Sequence, residues 1–169
     1  MQKSVYWLFP LLWMGVIFYS SAQPYEEQDI KPFLGNALNL SFLEPFVGWM
    51  SFTYHNSEVS VEALGVDGLI EFFIRKGAHF GVYFILLCLF YMAFVKTVKG
   101  AHWKLMEVSY LLSITYAVTD EFHQSYTANR TPYAGDIVID GIGAGAAVLF
   151  LIVWNRNRKR RQKNGKLTR

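Results

Sequence analysis

The sequence predicts an all-α membrane protein, a bundle of four transmembrane helices with a long extracytoplasmic segment between the first and second helices. Of 169 residues, 53% are hydrophobic and only 17% are charged, and the mean hydropathy is +0.20, which is more apolar than is usual for a soluble domain. Three runs, residues 5–22, 77–95 and 134–154, are long enough to cross about 30 Å of hydrocarbon. The uneven distribution of lysine and arginine then orients these helices.

The fourth crossing is less apolar than the other three. Residues 108–118 alone are short, and a run of that length is also typical of a buried or re-entrant helix. Extended to residues 105–124 the run can span, but it then includes Glu107, Asp120 and Glu121. We interpret it as a crossing because the basic segments before and after it then fall on the same side of the membrane.

Charge places both termini in the cytoplasm. The connection 23–75 carries eight acidic and two basic residues and is predicted to lie outside, whereas the short connection 96–104 carries three lysines and is predicted to lie inside. Residues 1–155 then form one transmembrane domain, and residues 156–169 form a basic cytoplasmic tail. Eight basic residues directly after a crossing favour anchoring at anionic lipid headgroups, so membrane lipid is the predicted partner and nucleic acid is not.

The first segment has two interpretations. Lys3, an apolar core and the small residues 20–22 also resemble a signal peptide with its cleavage site. Trp7, Pro10 and Trp13 favour a retained transmembrane helix.

The extracytoplasmic connection is too long to be an unstructured loop. Residues 33–50 mix aromatic and polar side chains, which predicts short helices at the membrane interface. Residues 51–61 alternate around a His55-Asn56-Ser57 turn and predict a small β-hairpin. Residues 64–73 return to helical spacing and lead into the second crossing.

Ionisable residues recur near the extracytoplasmic ends of three crossings, where they are costly unless they face a bundle interior or a water-filled cavity. In each helix, spacings of three, four or seven residues place them on one face, except that Glu121 lies about 100° from Asp120. We therefore predict that the three helices converge on one polar cluster, to which His123 also belongs. Its candidate functional residues are Lys76, His79, Tyr83, Asp120, Glu121, Gln124, Arg130, Asp136 and Asp140.

A purely structural role for this cluster is the first alternative. The charged groups would then neutralise one another and lock the bundle, with Arg130 holding one carboxylate in a bidentate pair. Glycines in the last helix offer a second structural feature. Gly141 and Gly145 form a G-x-x-x-G pattern, which predicts close helix packing within this bundle rather than between two copies.

The polar residues also carry a resemblance to a known family. RKGAHF at residues 75–80, followed by Tyr83, resembles the R-K-x-x-H-x-x-x-Y segment of the VanZ-like family. DEFHQ at residues 120–124, then Arg130, then DIVIDGIG at residues 136–143, is similar to its D-E-x-x-Q, R and D-x-x-x-N/D-x-x-G signature. YSSAQ at residues 19–23 resembles the S-S-Q ending of the family's first helix, with Ala22 interrupting it. The match therefore touches all four crossings, although many relatives have asparagine at the position of Asp140.

The resemblance implies a role at the bacterial cell envelope, since the family is named for an accessory protein linked to resistance against teicoplanin and related lipoglycopeptides. The first functional hypothesis is a protein that lowers lipoglycopeptide susceptibility by binding the antibiotic, a lipid or a lipid-linked envelope precursor. Lys76 and Arg130 then hold a phosphate or carboxylate group.

The second hypothesis is a membrane-embedded enzyme that modifies a lipid-linked envelope substrate. Asp120 or Glu121 acts as general base, His79 acts as acid, and Lys76 and Arg130 stabilise developing negative charge. The sequence carries no nucleophile elbow, phosphate loop or H-E-x-x-H motif, so it does not indicate a reaction class or a cofactor.

Metal binding and proton transport are weaker alternatives. A metal site from His79, His123, Asp120 and Glu121 is not predicted, because His123 lies off the Asp120/Gln124 face. Proton relay needs polar groups through the whole membrane, whereas these groups stop at its outer half.

Overall fold

The computed structural model describes residues 3–24, 40–127 and 132–167, with side chains to residue 162. It is mostly helical. A 3-10 turn, Lys3–Trp7, leads into α1, Leu8–Ser21; a second 3-10 turn, Leu40–Leu43, leads into the short α2, Glu44–Val47. Two strands follow, β1 (Ser51–Tyr54) and β2 (Ser57–Ser60), and then three long helices, α3 (Val61–Thr97), α4 (His102–Gln124) and α5 (Ala134–Leu167).

The β-hairpin confirms the prediction for this part of the connection. β1 and β2 are antiparallel with Ser51 opposite Ser60. His55 and Asn56 have φ of 50° and 60°, the left-handed pair that a two-residue hairpin turn requires. The turn is therefore shorter than predicted, since Ser57 already belongs to β2. Of the predicted interfacial segment, residues 33–39 lie outside the described residues.

Helix α3 begins where the hairpin ends. The Ser60 side chain caps it by accepting a hydrogen bond of 3.1 Å from the Ala63 amide. Gly65, with φ 70° and ψ 170°, then breaks the helical path before α3 continues to Thr97. A residue with a side chain is strained at this φ, so the glycine sets the angle between the hairpin and the long helix.

Two aromatic side chains fix α1 against the long helices. Trp13 Nε1 donates to the Val82 carbonyl at 2.9 Å, and the Tyr116 hydroxyl donates to the Met14 carbonyl at 2.6 Å. Ile17 is buried in the core that these helices share. Helix α1 thus packs along α3 and α4 rather than standing apart.

Helices α3 and α5 approach each other closely at Gly143. A Cβ atom added to Gly143 would lie 2.2 Å from the Phe80 carbonyl oxygen, whereas one added to Gly145 meets nothing within 4 Å. At Gly141 the nearest neighbour is the end of the Ile114 side chain, at 3.2 Å. Of the predicted pair, only Gly141 therefore packs against another helix. The close approach of α3 and α5 depends on Gly143, which lies between the two.

Among the described residues, three helices are long and apolar enough to cross a membrane: Lys3–Ser21, Val61–Thr97 and Ala134–Gln162. Helix α4 is long enough but is not one of them, since Lys104, Glu107, Asp120 and Glu121 interrupt its apolar run. The fourth crossing remains a prediction. Helix α5 also extends past residue 154 through the basic tail to Leu167, because Lys and Arg are good helix formers.

Candidate functional site

The hairpin end of the bundle is the end where α1 and α4 finish and where α5 begins. The hairpin lies against this end: Tyr54 packs on Phe72 and Tyr133 with ring centroids 5.2 and 4.8 Å apart, and His55 stacks on Tyr133 at 4.6 Å. Most of the sequence-predicted polar residues meet beneath it. They form four sets of contacts, one around each carboxylate.

Asp136, in the first turn of α5, binds two donors from other elements. Lys76 Nζ on α3 lies 2.5 Å from its Oδ1, and the Tyr54 hydroxyl donates to the same oxygen. Lys76 also lies over the Tyr54 ring, 4.4 Å from its centroid. Burial and the hydrogen bond to Asp136 raise the pKa of the Tyr54 hydroxyl, so that it stays a neutral donor.

Asp140 lies one turn further along α5 and faces His79 on α3. His79 Nδ1 is 3.1 Å from Asp140 Oδ1. Because an ionised carboxylate only accepts, Nδ1 carries the proton in this contact. Asp140 is 3% exposed, and the close approach of Gly143 to Phe80 brings it within reach of His79.

Asp120 on α4 faces α1. The Ser21 hydroxyl donates to its Oδ1 at 2.6 Å, and Gln124 Nε2, one turn later on α4, donates to its Oδ2 at 3.1 Å. Asp120 is 5% exposed. Both of these donors are neutral, which is unusual for a carboxylate so deeply buried.

Glu121 points away from Asp120, as its position 100° around the helix predicts. It accepts a hydrogen bond from the backbone amide of Tyr133, just before α5. Glu121 therefore ties the end of α4 to the start of α5. The His123 ring stacks on Phe18 at 4.0 Å, and its buried Nδ1 has no hydrogen-bond partner among the described residues.

Tyr83 on α3 is the most deeply buried residue of the cluster. It is 1% exposed, and within the described residues its hydroxyl has no hydrogen-bond partner. Its ring packs in a core with Ala117 and Ile137, which lie one turn before Asp120 and Asp140. The Tyr83 hydroxyl is thus a buried donor and acceptor that no other described residue uses.

Seven of the nine candidate residues make the hydrogen bonds or ion pairs described above. Tyr83 is buried without a hydrogen-bond partner among the described residues, and Arg130 lies outside them. Sequence reasoning missed two donors and undervalued a third. Tyr54 and the Tyr133 amide belong to segments with no polar pattern, so no signal marked them. Ser21 was noted as a small residue and as part of the S-S-Q ending of the first helix, but not as a donor to Asp120.

The arrangement can hold or move protons and bind polar groups. His79 held by Asp140 is a donor oriented by a carboxylate, as in general acid–base catalysis. Among the described residues, no group of three or more His, Cys, Asp or Glu side chains is placed to hold a metal ion. Within the described part of the chain, the cluster offers carboxylates, hydroxyls, the Gln124 amide, the His79 imidazole and the Lys76 ammonium group.

The apolar helices and the buried ionisable groups define a class: a helical membrane protein with polar side chains enclosed between its helices. The chain belongs to the VanZ/LLP1 family, whose model matches residues 6–155. This confirms the resemblance seen in the polar motifs. No similar curated protein and no similar solved structure was found.

Proposed function

We propose that the chain is a four-crossing protein of the cell membrane, with both termini in the cytoplasm and the hairpin end facing outward. The exposed side of α4 supports the fourth crossing. Its serines, Ser109 and Ser113, are buried and donate to backbone carbonyls, at 2.7 and 2.9 Å. A soluble helix has the reverse pattern, with polar residues outside. The large apolar side chains exposed on α4 are Trp103, Val108, Leu111, Leu112, Val118 and Phe122.

The aromatic residues before the hairpin support an interfacial position for this end. Phe42, Phe46 and Trp49 are 67%, 70% and 78% exposed. Aromatic side chains favour the headgroup level of a bilayer. We therefore propose that this segment lies in the outer leaflet, next to the polar cluster.

The function we propose is the binding of an envelope molecule at the outer polar cluster, which lowers susceptibility to teicoplanin-type lipoglycopeptides. The observation that carries it is the burial of three carboxylates, Asp120, Glu121 and Asp140, among apolar helices, together with the half-buried Asp136. Ionisable groups at membrane depth usually serve a function. A lipid-tailed antibiotic or a lipid-linked envelope precursor fits this setting, since its polar head meets the cluster while its tail stays in the bilayer.

The test compares teicoplanin and vancomycin inhibitory concentrations in a susceptible Gram-positive host. The host expresses the wild type, Glu121→Gln or Glu107→Gln at matched membrane levels. Glu121 is buried and tied to α5, whereas Glu107 is exposed on the same helix. We expect the wild type and Glu107→Gln to raise the inhibitory concentration of teicoplanin about fourfold or more relative to that of vancomycin, which is equivalent to about 0.8 kcal/mol. In Glu121→Gln this difference between the two drugs should be lost.

Equal changes for both drugs, or full protection by Glu121→Gln, would refute the proposal. A second candidate function is acid–base modification of a lipid-linked substrate, which the His79–Asp140 contact of 3.1 Å favours. The enzyme would be supported instead if no variant protected the host and if expression of the wild type, but not of a variant without the His79 side chain, changed the lipid composition of the host membrane.

A further inference from the structure

The polar cluster has more carboxylates than cations. Asp120, Glu121, Asp136 and Asp140 stand against Lys76 and, when it is protonated, His79. The nearby Glu71 and Arg75 pair with each other at 2.5 Å and so add no net charge. Even if Arg130, outside the described residues, joined this cluster, the four ionised carboxylates would exceed the cations by one.

The excess charge falls on Asp120. Asp136 has Lys76, Asp140 has His79, and Glu121 lies near the Tyr133 amide at the start of α5. Asp120 has only the neutral Ser21 and Gln124 as partners among the described residues. An isolated buried carboxylate either takes up a proton or acquires a positive partner.

A second observation points to a bound partner rather than to a proton alone. The Tyr83 hydroxyl is buried without a hydrogen-bond partner among the described residues. Tyr83 shares a core with Ala117 and Ile137, which lie one turn before Asp120 and Asp140, and it lies one turn after His79, the partner of Asp140. A buried hydroxyl without a partner is costly. Protonation of Asp120 leaves Tyr83 as it is, whereas a cation between the two carboxylates also uses the hydroxyl oxygen.

We infer that Tyr83, Asp120 and Asp140, from α3, α4 and α5, form a binding site for a small monovalent cation. Both Na⁺ and the primary ammonium of a lipid headgroup provide this chemistry. A divalent ion is disfavoured, because Ca²⁺ takes six to eight oxygen ligands and no set of three or more acidic, His or Cys side chains suits a metal within the described ranges. This inference goes beyond the proposed function and does not depend on it, since it concerns the purified protein.

The experiment measures thermal unfolding of the full chain in nanodiscs of zwitterionic, amine-free lipid by tryptophan fluorescence. NaCl, KCl or ethanolamine hydrochloride is titrated at pH 7.5, with choline chloride keeping the ionic strength constant. A cation at a hundredfold excess over its Kd should raise the midpoint by about 5–10 °C, in a saturable manner. Tyr83→Phe and Asp120→Asn should reduce this shift by more than half, whereas Glu107→Gln, exposed on α4, should keep it.

The pattern of responses separates the sources. A response to Na⁺ but not ethanolamine assigns an inorganic ion, and the reverse assigns a headgroup amine; a response to both supports a site for any small cation. No selectivity over choline, or an undiminished shift in Tyr83→Phe, would overturn the inference. A second result would also overturn it: an unfolding midpoint that no added cation changes, but that rises from pH 8 to pH 5 in the wild type and not in Asp120→Asn. A proton, rather than a cation, would then neutralise the Asp120 carboxylate.

Discussion

Gly143→Ala tests whether close packing of α3 and α5 builds the polar cluster. The added Cβ would lie 2.2 Å from the Phe80 carbonyl oxygen, and ordinary contact begins at 3.4 Å. The two helices must therefore separate locally by about 1.2 Å, because a backbone atom cannot turn aside. Phe80 follows His79 directly, and Gly143 lies one turn after Asp140. The distance from His79 Nδ1 to Asp140 Oδ1 therefore lengthens from 3.1 Å to about 4.3 Å, which is beyond hydrogen-bonding distance.

The assay is a double-mutant cycle on the free energy of unfolding, measured by denaturant titration in mixed micelles. Gly143→Ala should lower this free energy by about 1–3 kcal/mol. His79→Phe, which removes the donor to Asp140, should cost about 1.5–3 kcal/mol in the wild type but under about 0.5 kcal/mol after Gly143→Ala, since the contact is already lost.

Gly145→Ala is the matched control, because its added Cβ meets nothing within 4 Å. It should stabilise α5 slightly through helix propensity and leave the full cost of His79→Phe. If the costs of Gly143→Ala and His79→Phe simply add, the close approach does not hold the His79–Asp140 contact and the reasoning is wrong.

Two further predictions concern donors outside the nine candidate residues, Tyr54 and Ser21. Tyr54→Phe keeps the ring over the lysine but removes the donor to Asp136, and should lower the free energy of unfolding by about 1–2 kcal/mol. Tyr126→Phe, at an exposed ring, should change it by less than about 0.5 kcal/mol, and equal losses would contradict the contact. Ser21→Ala should cost about 1–3 kcal/mol because Asp120 loses a donor. The same substitution in an Asp120→Asn background should cost less than half as much, and an unchanged cost would assign the effect to the helix end instead.

The helix faces were predictable, but the contacts between helices were not. Spacing alone placed Lys76 and His79 on one face, and Asp136 and Asp140 on another, because helical geometry is local. Which carboxylate meets which donor depends on the rotation of each helix about its axis, and that rotation depends on packing. The close approach of the Gly143 backbone to Phe80 fixes how α5 is rotated against α3. The G-x-x-x-G pattern pointed instead to Gly141 and Gly145.

The hairpin and the basic tail also had features that could not be predicted from the sequence, namely the contacts of one and the end of the helix in the other. The alternation around His55 and Asn56 predicted the strands, but nothing in residues 51–61 indicated that Tyr54 would reach Asp136. The end of α5 was misplaced because a membrane boundary is not a helix stop signal. No proline or glycine occurs between Gly145 and Gly165, so the helix continues through the basic tail.

The contacts that complete the cluster join early and late parts of the chain. Ser21 and Asp120 are 99 residues apart, and Tyr54 and Asp136 are 82 apart. During synthesis, Lys76 enters the membrane well before Asp136 has been translated, and Ser21 is translated well before its partner Asp120. The cluster therefore forms only after the start of the last helix has been translated and inserted, so an intact polar cluster distinguishes chains that contain this helix from the shorter intermediates on the ribosome that lack it.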